Sequence, residues 1–79
     1  MAKTNYVTIS EYIGSDEYSH RSAEVLRTVG LDDNYWGIRM RSHGESLMIE
    51  WYPSHSESWA ESAAENYVMG LKNYIDDRD

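Results

Sequence analysis

From Tyr6 to Ile13 the chain alternates, with Val7, Ile9 and Ile13 on one side and Tyr6, Thr8, Ser10 and Tyr12 on the other. A period of two is the mark of a half-buried strand, and Gly14 with Ser15 ends it. Between Asp16 and Val29 the spacing changes. Tyr18, Ser22, Val25, Leu26 and Val29 recur at helical intervals, acids stand at the start, and Gly30 follows as a C-terminal cap, so the pattern predicts a helix over residues 16–29. A strand through Ala23, Val25, Arg27 and Val29 competes with that reading, and β-branched content does not separate the two.

Leu31 to Asn34 reads as a loop. YWGIRMR and SLMIEWY then flank SHGE, and a two-residue turn at His43 and Gly44 pairs them as an antiparallel hairpin. That register sets Met40 opposite Leu47, Ile38 opposite Ile49 and Trp36 opposite Trp51 on one face, because a slip of one residue would turn all three pairs outward. The other face carries Tyr35 opposite Tyr52 and Arg39 opposite Met48, with Glu50 diagonal to Arg39. Pro53 closes the strand. Ser54 and Glu57 have the spacing of a capping box, so a last helix is expected from near His55. Its apolar stripe runs through Trp59 or Ala60, Ala63 or Ala64, Tyr67 or Val68, Leu71, and Tyr74 or Ile75. Gly70 interrupts it at a cost of about 1 kcal/mol relative to Ala, which points to close packing or a bend there. The elements sum to an α+β fold of order β-α-β-β-α, a three-stranded antiparallel sheet with helices packed on one face, in a single domain over residues 1–79.

Length and composition then narrow the function. Seventy-nine residues lie near the lower limit at which one hydrophobic core sustains a fold. The absence of cysteine excludes disulfides and thiolate metal sites and fits a reducing cytoplasm. No apolar run approaches a membrane span and MAKTNYVTIS lacks the features of a signal peptide, so the expectation is a soluble, cytoplasmic protein. A formal net charge of −7 argues against direct binding to nucleic acid or anionic lipid and favours a basic partner. Seven Tyr and three Trp without a single Phe suit partly exposed surfaces, since both combine apolar area with a polar tip.

Reactive chemistry finds little support. His20, His43 and His55 fall in a helix start, a turn and a cap, and no two have a metal-binding spacing on one helical turn. DDNYWG resembles the start of a calcium loop, but the position where a bidentate Glu belongs is His43. There is no phosphate-cradling glycine motif. Arg39 and Arg41 with Tyr35 and Tyr52 could form a base-stacking platform, yet two arginines are few against the surplus of acid. No metal, no cofactor and no enzymatic activity are expected.

The clearest functional signal is SESWAESAAE, residues 56–65. Glu57, Glu61 and Glu65 share one helical face at intervals of about 6 Å, comparable to successive phosphates along a nucleic-acid strand. Glu57 is explained by the helix dipole and the cap. Glu61 and Glu65 have no cation four residues on, and like charges at this spacing cost a few tenths of a kcal/mol per pair. Such a ridge is either a solvated face tolerated because the apolar stripe holds the helix, or a surface that docks on a basic protein. With SESWAESAAE and the terminal DDRD, the chain resembles the small acidic proteins that bacteriophages encode against host defences, the anti-CRISPR and anti-restriction inhibitors. That resemblance implies a non-enzymatic inhibitor occupying the basic nucleic-acid-binding surface of a host complex. Glu57, Glu61 and Glu65 would supply charge, Trp59 at the ridge's margin an anchor, and Asp76 and Asp77 an extension. The alternative is an assembly subunit forming a homodimer or larger oligomer through exposed Tyr and Trp.

Overall fold

Residues 21–28 form a strand, and this one element decides the architecture. The computed structural model describes residues 5–72. They form β1 (Tyr6–Ile13), a single 3-10 turn (Asp16–Tyr18), β2 (Arg21–Thr28), β3 (Trp36–Ser42), β4 (Glu45–Tyr52) and α1 (Glu57–Val68). The strands pair antiparallel in chain order, β1-β2-β3-β4. The fold is therefore α+β as expected, but with four strands and one packed helix in place of three strands and two helices. The physical reason lies in β2, whose Ala23 and Val25 are buried against α1 while Leu26 and Thr28 are buried on the opposite face. A strand covered on both sides loses its alternation, and what remains at positions 22, 25, 26 and 29 imitates a helix.

The expected faces of β1 do not hold along the strand, since Tyr6 and Thr8 share the helix-free face with Thr28 and Leu26 while Ser10 and Tyr12 share the helix side with Val25 and Ala23. Ile9 is an extra residue between the pairs Thr8–Leu26 and Ser10–Val25, and this bulge turns Tyr12, opposite Ala23, toward the helix. Val7, Ile9 and Ile13 stay exposed, Ile13 by 69%.

The hairpin turn forms as expected, with positive φ at both His43 and Gly44, the backbone of a type I′ turn. Pairing follows it through Ser42–Glu45 and Arg41–Ser46, and then Leu47 bulges out. Beyond it Met40 faces Met48, Ile38 faces Glu50 and Trp36 faces Tyr52, so the expected pairs of Met40 with Leu47, Ile38 with Ile49 and Trp36 with Trp51 do not form. Gly37 shows why the shifted register is favoured. Trp51 lies opposite Gly37 on the helix-free face, and its ring occupies the space of the missing side chain, where a Cβ would stand 2.4 Å from Cε3. Tyr6 and Tyr35 hold that ring edge-on at 5.6 and 5.5 Å. The shift also separates Arg39 from Glu50. Arg39 pairs instead with Glu24 of β2 at 2.9 Å and donates to the Tyr6 hydroxyl.

Helix α1 starts at Glu57 with Ser56 as the extended N-cap residue, so the capping box from Ser54 is not made. Its end is a Schellman motif: Leu71 N–H donates to Asn66 O at 2.8 Å and Gly70 N–H to Tyr67 O at 3.1 Å. Gly70 terminates the helix instead of interrupting it. Its φ of +83° and the Tyr18 ring, 2.3 Å from where a Cβ would be, both demand glycine. The stripe positions Tyr74 and Ile75 lie outside the described residues. The core joins Ala23, Val25, Ile38 and Met40 of the sheet to Ala60, Ala64, Tyr67 and Val68 of the helix, the two alanines allowing close approach. Arg21 then fastens the helix end, donating to Tyr67 O at 2.9 Å and Lys72 O at 3.2 Å, while the Tyr67 hydroxyl donates to Arg41 O at 3.0 Å.

Candidate functional site

Because Ala60, Ala64, Tyr67 and Val68 face the sheet, the remaining helical positions divide into two flanks. Glu57, Glu61 and Glu65 fall on the flank above β1. There a cleft of about 230 Å³ is lined by Tyr12, Ser58, Glu61, Ser62 and Glu65. Burial raises the Tyr12 phenol above its ordinary pKa, and the charges of Glu61, Glu65 and Glu57 push it further. Glu61 is raised as well, by lost hydration, by its hydrogen bond with Glu57 and by that neighbour's charge. The chain thus concentrates negative potential at one place, at a cost to itself.

The cations of the described residues are engaged elsewhere. Arg39 and Arg41 converge on Glu24 at 2.9 and 3.6 Å, and Lys72 meets Glu50 at 2.9 Å. Arg21 serves the carbonyls at the end of α1, and Arg27 sits over the Trp36 ring at 5.7 Å. Among the described residues, no basic side chain forms a salt bridge with Glu57, Glu61 or Glu65. Acids that belong to the sheet behave in the opposite way. Burial by itself would raise Glu50, but hydrogen bonds from Tyr52 and Lys72 outweigh it and hold the carboxyl below its usual range. Tyr52, half-buried and bonded to Glu50, is pushed far above the usual phenol value.

Trp59 does not join the ridge. Residues two apart on a helix point about 200° apart, so Trp59 lies on the far flank from Glu57 and Glu61. It is 52% exposed, stacks on His55 at 4.0 Å, and lines a second groove with Tyr52, Ala63, Asn66 and Lys72. Only Ser62 borders both grooves. The structure therefore brings the three glutamates together and places Trp59 across the helix from them. Asp76 and Asp77 lie outside the described residues.

Tyr12, the floor of the acidic cleft, escapes a reading by alternation, since the bulge at Ile9 has no signal in local sequence. Also unforeseen is the stacking of His20 on His43 at 4.8 Å, which joins two turns that are far apart in the chain. Among the described residues no three His, Asp or Glu side chains are grouped to hold a metal ion, and no helix is long and apolar enough to cross a membrane. Tyr35 and Tyr52 do not share the face expected of them, Tyr35 packing on Trp51 and Tyr52 on the helix-side core. Comparisons with protein-family models, curated proteins and solved structures find no match to this chain.

Proposed function

We propose that this protein is a small acidic binding module that docks the Glu57, Glu61 and Glu65 flank of α1 on a basic, nucleic-acid-handling surface of another protein and blocks it. A host defence complex of the CRISPR type is the partner this reading favours, in a cytoplasmic setting and without catalysis by the module itself. The supporting observation is selective neutralisation: Glu24 and Glu50 have cationic partners, whereas the ridge has none among the described residues. Three neighbouring glutamates with no cationic partner among the described residues gain from an external cation. Trp59 and Tyr52, on the other flank, extend the contact for a partner broad enough to straddle the helix.

The test is competition. Purified CRISPR effector complexes bound to labelled target DNA are titrated with the protein and with a Glu57→Lys, Glu61→Lys, Glu65→Lys variant whose circular dichroism is unchanged. Release of DNA by the natural chain, weakened at least about tenfold in the variant, is the expected result. Equal competition by both, or none by either, refutes the reading. A second reading, self-association, draws on the helix-free face, where Tyr6, Trp51 and Tyr35 surround a paired Arg39 and Glu24. A concentration-dependent dimer in sedimentation, abolished by Trp51→Lys, would favour it.

A further inference from the structure

Strand β1 is an edge of the sheet among the described residues, with β2 as its one neighbour. An edge strand leaves a row of backbone N–H and C=O groups without partners, and proteins normally guard such rows with charge, proline or bulges. Here the guard is partial. The bulge at Ile9 interrupts the edge, yet Ser10 to Ile13 continue in regular register with Val25 to Ser22. This stretch carries the exposed Ile13 on the side away from the helix, and Tyr12, the floor of the acidic cleft, on the helix side.

Resting on the docking role argued above, we infer that the partner is bound as an extended basic segment that adds a strand to β1. Its backbone pairs with the edge at Ser10 to Ile13, its alternate Lys or Arg side chains meet Glu61, Glu65 and Glu57, and its intervening apolar side chains cover Ile13. The dimensions agree. Side chains on one face of a strand repeat every 6.6–6.8 Å or so, and residues four apart on a helix about every 6 Å, so a segment lying along the helix axis would bring cations at alternate positions to successive glutamates. Strand addition also divides the work as such complexes do, main-chain bonds giving affinity and alternate side chains giving selectivity. A second copy of this chain is a poor occupant of the same edge, because pairing β1 with β1 would bring together two acidic rows that have no cationic partner among the described residues.

The probe is a short synthetic peptide strictly alternating lysine and valine. Two controls accompany it: a peptide of equal composition with the lysines and valines in separate blocks, and the alternating peptide N-methylated along its backbone. Each is titrated into the full chain, with amide chemical shifts and hydrogen exchange as readouts. The alternating peptide should bind at least about tenfold more tightly than either control and slow exchange at amides within Ser10–Ile13. The variant Glu57→Gln, Glu61→Gln, Glu65→Gln should bind it about tenfold more weakly. Equal binding of the N-methylated peptide with unchanged exchange in β1 overturns strand addition while leaving acidic docking intact. Binding indifferent to the three Glu→Gln changes overturns the docking role itself, and absence of binding by the alternating peptide overturns the inference.

Discussion

Two glutamates respond to acid in opposite senses, and their neighbours explain why. The folded-state pKa of Glu50 lies below the ordinary 4.5, so its contribution to stability is present above that pH and is lost as pH falls through the lowered value. Glu61 is raised above 4.5, so its contribution is present below that value and is lost as pH rises through the raised one. At neutrality one carboxylate therefore supports the fold and the other opposes it. Denaturant midpoints followed from neutral pH down through the carboxylate range should show Glu50→Gln destabilised by about 1–2 kcal/mol at neutrality, with the difference shrinking in acid. Glu61→Gln should be the more stable protein at neutrality and lose that advantage in acid.

The elements differ in how far their sequences reveal them. The turn at His43 and Gly44 was legible because two positive φ angles select few residues, and the next two pairs follow from it. The bulge at Leu47 was not, because it depends on what Trp51 meets across the sheet, and the residue that accommodates it is Gly37. Helix α1 was legible through its alanines and its acids, whereas its true end required knowing that Tyr18 packs on Gly70. Strand β2 imitates a helix in its sequence for the reason that makes it central, burial on both faces. The shifted register can be checked directly at Gly37. Gly37→Ala would set a methyl group against the Trp51 ring and Glu50 O, and should cost about 1–3 kcal/mol, with Trp51 emission shifting to the red as the ring is lifted into water.

For the molecule as a whole, the charge of −7 matters less than its placement. The acidic row could be read from one helix, since positions 57, 61 and 65 need only a period of 3.6 to coincide. Its relation to Tyr12 and to the open edge depends on a bulge in a strand far away in the chain, and Trp59 falls on the opposite flank by the same helical geometry that aligns the acids. Self-repulsion along α1 should respond to screening, whose length falls from about 10 Å at 0.1 M salt to about 3 Å at 1 M. Added salt should therefore raise the thermal midpoint of the natural chain, and do so less for Glu57→Gln, Glu61→Gln, Glu65→Gln, as scanning calorimetry would report. The strand order carries one more consequence. Each of β2, β3 and β4 lies beside the strand made just before it, so the sheet can assemble in chain order as the chain leaves the ribosome. The bond from Arg21 to Tyr67 spans 46 residues and must wait for α1. A translation product cut short before that helix would thus have strands able to zip together but none of the anionic row.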